Sequence, residues 1–368
     1  MSISYDAWDR EWKANEVAYY GLLDKAMQKP YDGSVEFLEQ NIEMFTGRYY
    51  AVGVANATDA LYFALVSKGI GQGDEVIVTN FSWISSGTCV TRCGATPVFC
   101  DIDLDTYHLS FESVKRMVSP KTKALIWTHL FGSMSDTREV EEWCRDKGIL
   151  FVEDAAQSVG SSLDGRKAGN IGDCSVFSFN SNKVIAGIAG GGMFLTNDKD
   201  QANAVMSLRR HGKVGESFDT EHGVNSKLYV PNAEVIAHRL KFMTVWQSKR
   251  QEIAKLYDAA FKKMPIEIQK QKPRSVLQHN YHKYVVRFED RETRDFIKKS
   301  IKQTGKFKPS VHYGCPLSDH GCFDNINFRK DDTPNSKTAS QTIMSLPIHP
   351  FLTDDEINTV IESIVGIL

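Results

Sequence analysis

Short runs of apolar and β-branched residues recur along the first half of the chain and predict buried strands. Six runs carry this pattern, at 76–79, 97–100, 124–128, 149–152, 175–179 and 193–196. Between several of them the apolar residues follow helical spacing, as in 137–147, whose outer face is charged. Apolar strands that alternate with amphipathic helices are typical of a largely parallel sheet with both faces covered. The pattern therefore predicts an α/β fold.

Another helix is predicted over 58–68, because its alanine and leucine residues form an apolar stripe at helical spacing. We expect Thr58 or Asp59 to cap its first turn and Gly69 to end it. After residue 230 the pattern changes to a long helix over 231–264, strands over 285–288 and 308–312, and a helix over 291–303. Thr353 and Glu356 have the spacing of a capping box that opens the last helix. We predict a large domain over 1–238 and a smaller α+β domain over 239–368 that includes the connecting helix.

Composition narrows the class of protein further. The chain has 44 basic and 46 acidic residues, a formal charge of −2, which gives no electrostatic reason to expect nucleic acid or a membrane surface as partner. No run of about 18 apolar residues is present, and the charged N-terminus does not resemble a signal peptide. The seven cysteines are scattered without zinc-finger spacing. We therefore expect reduced thiols, no metal site and a cytoplasmic location.

Three separated positions carry candidate chemistry. Asp154 closes a predicted parallel strand, and ligands of open parallel sheets lie outside the carboxyl ends of the strands. Lys183 follows another strand and precedes a three-glycine turn at 190–192, where backbone approaches a ligand closely. Ala57 and Thr58 begin the helix predicted over 58–68, and a helix N-terminus attracts anions. Each signal alone has a commoner structural explanation: a helix cap, a surface lysine or an ordinary helix start.

Together the three positions fit one task. A lysine that is partly neutral forms a Schiff base with a carbonyl compound, a carboxylate pairs with a ring nitrogen, and a helix terminus with a hydroxyl binds a phosphate. Pyridoxal 5′-phosphate (PLP) needs this combination from a protein. The residues therefore indicate a PLP enzyme.

Long segments of the chain resemble the DegT/DnrJ/EryC1/StrS group of sugar aminotransferases, which have the type I PLP fold. The matching segments occur in the family's order, at 53–65, 71–78, 94–103, 121–124, 153–157, 165–169, 172–173, 178–183, 208–212 and 345–350. The resemblance implies a large domain with a mostly parallel seven-stranded sheet flanked by helices, and a small α+β C-terminal domain. It also implies a homodimer whose active sites are shared between the subunits.

The resemblance implies a role for each matching residue. Lys183 would hold the cofactor covalently and move a proton during catalysis, and Asp154 would pair with the pyridine nitrogen. The other cofactor-binding residues would be Ala57, Thr58 and Ser178 at the phosphate, Gln157 near the ring O3′, Trp83 stacked on the ring, and Asn225 at the neighbouring subunit's phosphate. Weaker candidates for substrate contacts are His129, Asn180, His312 and Tyr313.

The departures from the family pattern surround the substrate end of the predicted pocket. They include Ser226-Lys227-Leu228 after Asn225, the residues before Lys183, the loop 187–190 and the N-terminus. The resemblance implies ping-pong transfer from an amino acid, L-glutamate, to a keto sugar linked to a nucleotide. A small phosphorylated ketone or another carbonyl compound is the alternative acceptor.

Three other functions remain for comparison. The family's dehydratase branch has histidine in place of the lysine, which Lys183 opposes. A non-catalytic regulator would have no reason to keep Lys183, Asp154, Gln157 and Ser178 together. A nicotinamide-dependent enzyme is disfavoured because no Gly-x-Gly-x-x-Gly follows the first predicted strand.

Overall fold

The computed structural model describes residues 2–28, 33–262, 264 and 277–367 of the 368-residue chain. The described strands are β1 (Tyr50–Val54), β2 (Glu75–Thr79), β3 (Thr96–Cys100), β4 (Thr122–Thr128), β5 (Leu150–Asp154), β6 (Ser162–Leu163), β7 (Arg166–Lys167), β8 (Cys174–Ser178), β9 (Gly192–Thr196), β10 (Lys213–Val214), β11 (Ser217–Phe218), β12 (Leu277–Gln278), β13 (Tyr284–Arg287), β14 (Arg329–Lys330) and β15 (Ile343–Leu346).

The described α-helices are α1 (Trp8–Gln28), α2 (Ser34–Thr46), α3 (Ala57–Val66), α4 (Ser85–Arg92), α5 (Phe111–Met117), α6 (Arg138–Lys147), α7 (Lys199–Leu208), α8 (Val230–Leu240), α9 (Met243–Phe261), α10 (Arg291–Thr304), α11 (Pro334–Thr342) and α12 (Asp354–Val365). In the described part of the chain, no helix combines the length and the apolar character needed to cross a membrane.

A mostly parallel sheet organises the first two thirds of the chain. Its strand order is β1-β9-β8-β5-β4-β2-β3-β14, and only β9 runs antiparallel to its neighbours β1 and β8. Neighbouring residues of β2 are buried in different clusters: Ile77 in one, Val76 and Val78 in the other. Because successive strand residues point to opposite faces, both faces of the sheet are covered, which confirms the α/β fold. The sheet has eight strands rather than seven, since the two-residue β14 adds to the edge of β3.

The C-terminal part has its own apolar cluster. It forms where β13 pairs with β15 and the helices α9, α10 and α12 pack on the pair, and it also takes in Ile3 from the N-terminus. This packing does not test the predicted boundary between a large domain over 1–238 and a small domain over 239–368, which stays a prediction. The capping box is confirmed, because Thr353 accepts from the Glu356 N–H and Glu356 accepts from the Thr353 N–H.

Three local predictions were wrong: the cap of the first predicted helix, the continuity of the long helix, and one strand. The helix predicted over 58–68 begins at Ala57 and is capped by Asn56, whose Oδ1 accepts from the Asp59 N–H at 2.8 Å. The helix predicted over 231–264 is two helices, α8 and α9. They divide because the N–H groups of Lys241 and Phe242 bond to carbonyls three residues back, which tightens the turn.

The strand predicted over 308–312 is also absent from the described fold. Only one isolated bridge forms there, in which Ser310 and Ser345 exchange hydrogen bonds of 3.4 and 2.8 Å. The His312 ring then bonds to the Ser345 side chain, with 2.8 Å between Nδ1 and Oγ. The segment is therefore fixed by a side-chain contact as well as by its single bridge.

Candidate active site at the carboxyl edge of the sheet

Asp154 is the last residue of β5, and its side chain is only 5% exposed. Its Oδ1 accepts from the Ala156 N–H at 3.1 Å, and its Oδ2 lies 3.3 Å from the Thr128 hydroxyl at the end of β4. Burial raises the pKa of this carboxyl, opposed by the Ala156 N–H and by the positive charge of Lys183. A buried carboxylate in this setting is stabilised as an anion by a cationic partner.

Lys183 lies five residues beyond the end of β8 and is partly buried. Its backbone N–H donates to the Asn180 carbonyl at 2.9 Å, which closes a turn directly after the strand. Burial lowers the pKa of the Lys183 amine to about 8, and the negative charge of Asp154 opposes this change. Each charge acts on the other group's pKa, so the Lys183 amine and the Asp154 carboxylate lie within electrostatic reach of each other.

A third set of groups lies where α3 meets β8 and β9. Ser178 pairs in register with Gly192, and a Cβ on Gly192 would lie 2.7 Å from the Ala57 nitrogen. Only glycine fits there, and this close approach brings the start of α3 beside Ser178. The N–H groups of Ala57 and Thr58 have no acceptor within the helix, so they and the helix dipole favour an anion.

Gln157 and Tyr313 hold each other in place near Asp154. The Gln157 Oε1 accepts from the Phe131 N–H at 2.9 Å, and its Nε2 donates to the Tyr313 hydroxyl at 2.8 Å. Burial raises the pKa of Tyr313, the Gln157 hydrogen bond opposes this, and the charge of Asp154 adds to it. The predicted residues Gln157 and Tyr313 therefore belong to the same neighbourhood as the buried carboxylate.

Three of the predicted residues are exposed. Trp83 is 62% exposed, so it is not an ordinary core aromatic. Asn180 accepts from the Ser181 N–H at 2.6 Å through its own side-chain oxygen. Asn225 is exposed, while the next residue, Ser226, is buried and donates to the Asp59 carboxylate at 2.7 Å. The Asn225 side chain thus stands at the surface, next to the first turn of α3.

The two histidines named as weaker candidates have different settings. His129 is fully buried, and its Nε2 lies 3.3 Å from the Glu153 carboxylate. His312 is half-buried, and burial, followed by the charges of Lys283 and Lys183, lowers its pKa to about 3. His312 is therefore neutral near neutral pH, and its ring lies 6.2 Å from the ring of Tyr5, which lines the crevice of Lys183. A substrate contact of His129 stays a prediction.

Sequence reasoning missed a further group that lines the crevice with Lys183. Tyr5, His282 and Lys283 come from the N-terminus and from the approach to β13. Burial, followed by the charges of Arg250 and Lys183, lowers the pKa of Lys283 to about 8, and the charge of Asp6 opposes this change. The one available signal was a lysine inside the aromatic and apolar run 281–286, which by itself predicts nothing about its neighbours.

The assembled groups fit the cofactor expected from the sequence. A buried carboxylate that has no ion pair in the described part of the chain, a lysine with a lowered pKa and an anion cradle at a helix start are the three features that PLP requires. The Ser178 hydroxyl accepts only a long bond, 3.4 Å from the Asn180 N–H, so its proton is available to a ligand. Asp154, Lys183, Ser178 and the start of α3 would hold the cofactor.

Comparisons with known proteins agree with this geometry. The sequence model of the DegT/DnrJ/EryC1/StrS aminotransferase family matches residues 23–365. A UDP-2-acetamido-2-deoxy-3-oxo-D-glucuronate aminotransferase of Pseudomonas aeruginosa is 32% identical over 86% of this chain and 85% of its own. A pleiotropic regulatory protein of Geobacillus stearothermophilus is 30% identical over 90% of this chain and 88% of its own.

Similarity extends to solved structures. A DegT DnrJ EryC1 StrS aminotransferase from Brucella abortus superimposes with a TM-score of 0.92, at 25% identity and with 99% of each chain covered. A sugar aminotransferase from Streptococcus pneumoniae has the same fold and has been solved in a form with PLP and in a form with the amine of the cofactor, pyridoxamine phosphate (PMP).

Proposed function

The chain belongs to the DegT/DnrJ/EryC1/StrS aminotransferase family and is a PLP-dependent aminotransferase, and we propose that its acceptor is a nucleotide-linked keto sugar. The amino donor is L-glutamate, and donor and acceptor react in turn by a ping-pong mechanism. The observation that carries the proposal is the placement of Asp154 and Ser178 at the carboxyl ends of neighbouring strands beside the start of α3, with Lys183 in the turn that follows Ser178.

When bound, the cofactor supplies an aldehyde that carries the amino group and a ring that withdraws electrons from the reacting carbon. Lys183 provides the amine that holds this aldehyde. Because burial lowers its pKa to about 8, a useful fraction of the amine is neutral near neutral pH. Once a substrate amine has displaced it, the Lys183 Nζ accepts and returns the proton that transamination moves.

Asp154 and the anion cradle orient the cofactor. The Asp154 carboxylate is buried and therefore gains most from a cationic partner, which a protonated pyridine nitrogen provides. The Ser178 hydroxyl and the N–H groups of Ala57 and Thr58 bind the phosphate. Gln157 would lie near the ring oxygen, and the exposed Trp83 would cover the ring.

The acceptor class follows from the relatives. The P. aeruginosa relative is named for a nucleotide-linked 3-oxo sugar acid, and this chain spans most of its length. A small phosphorylated ketone stays the alternative acceptor. The G. stearothermophilus relative is named for regulation, which favours a second candidate function. A regulator alone does not need Lys183, Asp154, Gln157 and Ser178 in one neighbourhood, so catalysis is the better-supported function.

We further propose that the protein acts in the cytoplasm as a homodimer with shared active sites. Asn225 supports this assembly because it is exposed beside the first turn of α3, where a neighbouring subunit's site could use it.

The test begins with protein purified in the presence of PLP. Borohydride treatment followed by peptide mass spectrometry should place the cofactor on Lys183. L-glutamate alone should then convert the PLP absorbance to that of the amine form and release one keto acid per site. Colourless protein that PLP cannot reconstitute, or cofactor on another lysine, would contradict the proposal.

The acceptor is identified in a second step. The amine form is offered UDP-, dTDP- and GDP-linked 3-keto and 4-keto sugars and, as the alternative, small phosphorylated ketones. Return of the PLP absorbance and an aminated product in the mass spectrum identify the acceptor. Turnover of the phosphorylated ketones alone would replace the keto-sugar assignment, and binding of PLP without either half-reaction would favour the regulator.

A further inference from the structure

Lys283 is fixed to the segment that holds Gln157. It precedes β13, and its backbone N–H donates to the Phe131 carbonyl at 3.2 Å. The Phe131 N–H donates in turn to the Gln157 Oε1 at 2.9 Å. The lysine backbone therefore stands two hydrogen bonds from a residue that lies beside Asp154.

The ammonium group of Lys283 lacks a close counter-ion. It is partly buried, and its Nζ lies 5.4 Å from the centre of the Tyr5 ring. Within the part of the chain that the structure describes, no carboxylate lies within ion-pair distance of it, and Asp6 attracts it only from farther away. Burying a charge without a partner is unfavourable, which is why the pKa of Lys283 falls to about 8.

Several donors of the other basic groups around Lys283 are engaged, while the Arg250 Nε and the Arg239 Nη2 have no hydrogen-bond partner in the described part of the chain. Arg250 donates to the Tyr281 and Ile348 carbonyls at 3.0 and 2.5 Å, and His312 is neutral with its Nδ1 bonded to Ser345. Lys183 is assigned to the cofactor. The acidic groups that line this crevice are Asp6 and Glu11, and Glu11 is paired with Arg239 at 2.5 Å. Lys283 is thus a charged donor that remains available to a ligand.

The cofactor's phosphate does not account for this donor. The phosphate cradle consists of Ser178, Gly192 and the start of α3, whereas the contacts of Lys283 are with Phe131 and Tyr5. Lys283 lines the same crevice as Lys183, so its ammonium group could bind a second anion, one that belongs to a substrate.

We propose that Lys283 is a substrate-binding residue that pairs with a carboxylate group in the crevice of Lys183. That the ligand is a substrate rests on the proposed function. The carboxylate could be contributed by the amino donor or by an acidic sugar acceptor, and the Lys283 ammonium would recognise the same chemistry in both.

Equilibrium binding to the PLP-loaded protein separates these sources. Calorimetry is carried out with glutarate, which resembles the donor without its amine, and with UDP-glucuronate and its neutral counterpart UDP-glucose. The variants are Lys283→Met, which keeps the length without the charge, and Lys283→Arg, which keeps the charge. Lys299→Met, at an exposed lysine of α10, is the control for removal of a positive charge.

For a donor site, Lys283→Met should weaken glutarate binding about tenfold or more, as expected for a lost hydrogen bond between charged groups. For an acceptor site, it should reduce the preference for UDP-glucuronate over UDP-glucose by a similar factor. Lys283→Arg should restore part of either loss, and Lys299→Met should behave as wild type. Thermal denaturation of each variant checks that the fold is intact.

Several outcomes would overturn the assignment. One is a change of less than twofold for both carboxylates in folded Lys283→Met, and another is failure of the wild type to bind either. A uniform fall in kcat with a shifted pH profile and unchanged KM would instead make Lys283 a residue that adjusts Lys183. If carboxylate binding depends on Lys283 but no transamination is found, the proposed function fails and the anion site stands.

Discussion

The carboxyl edge of the sheet and the substrate side of the crevice are built in different ways. At the sheet edge, Asp154 and Ser178 are the last residues of neighbouring parallel strands and are buried. On the substrate side, Tyr5 and Lys283 line the crevice of Lys183 from distant parts of the chain, and His312 lies beside Tyr5, with 6.2 Å between the ring centroids. Strand topology thus places the groups that define the reaction, whereas packing of separate segments places those that select the substrate.

This difference has a consequence for mutants. Changes at the sheet edge should affect every substrate equally, because every substrate reacts through the same cofactor. Changes on the substrate side should alter KM and preference between substrates more than kcat. The comparison fails if a sheet-edge variant loses activity with only some substrates, or if a substrate-side variant loses activity equally with all of them.

Lys183→Ala should have the largest effect. Loss of the amine removes both the covalent attachment and the proton transfer, so kcat should fall by at least about 10²–10⁴-fold with every donor and acceptor. The variant should still bind PLP, because Asp154 and the start of α3 remain. Single-turnover absorbance measurements with L-glutamate test this, and retained turnover would remove the assignment of Lys183.

Asp154→Asn should have the next largest effect. The amide has the carboxylate's shape but no charge to stabilise a protonated ring nitrogen, so we expect kcat to fall about 10²–10³-fold for all substrates. Asp200→Asn, at an exposed position of α7, is the matched control. A loss confined to one acceptor would show that Asp154 contacts the substrate and would break the comparison between the two regions.

The pH dependence of cofactor attachment tests the Lys183 setting directly. Since burial lowers the Lys183 pKa to about 8, the neutral amine increases as pH rises toward that value and changes little above it. The rate of PLP attachment to the cofactor-free protein should therefore rise about tenfold per pH unit below pH 8 and then level off. In Asp154→Asn the plateau should begin at lower pH, because the Asp154 charge raises the Lys183 pKa and its removal lets that pKa fall further. A rate that keeps rising to pH 10 would contradict the buried setting of Lys183.

The sheet edge could be predicted from the sequence because local patterns determine it. Apolar runs mark where parallel strands end, and a residue that follows such a run lies at one known edge. This reasoning and the family resemblance located Asp154, Ser178 and Lys183. It placed the start of α3 one residue too late and the cap two or three residues too late, at Thr58 or Asp59 instead of Asn56, because all three residues lie close together and each can cap a helix.

The substrate side could not be predicted in the same way. Lys283 and Tyr5 are brought to Lys183 by the packing of the C-terminal and N-terminal segments, for which no spacing in the sequence gives a signal. The break between α8 and α9 was missed because apolar residues continue at helical spacing through it. The strand predicted over 308–312 was wrong because a single bridge and a side-chain bond fix that segment.

Asn225→Ala is expected to have the smallest effect and tests whether a site needs two subunits. Asn225 is exposed, so its truncation should leave the fold intact and weaken PLP retention only about fivefold, the value of one hydrogen bond. Asn203→Ala, at an exposed position of α7, is the control. Retention is measured by dialysis at limiting PLP.

Mixed dimers of Asn225→Ala and Lys183→Ala chains decide where Asn225 acts. If Asn225 serves the neighbouring subunit, the site built on the Asn225→Ala chain receives an intact asparagine from the Lys183→Ala chain, and its PLP retention returns to the wild-type value. If Asn225 serves its own chain, no mixed site is complete, and retention stays at the weakened value. The second result would place Asn225 at the sheet edge of its own subunit, beside the first turn of α3, and the cofactor half of the site would then need no partner.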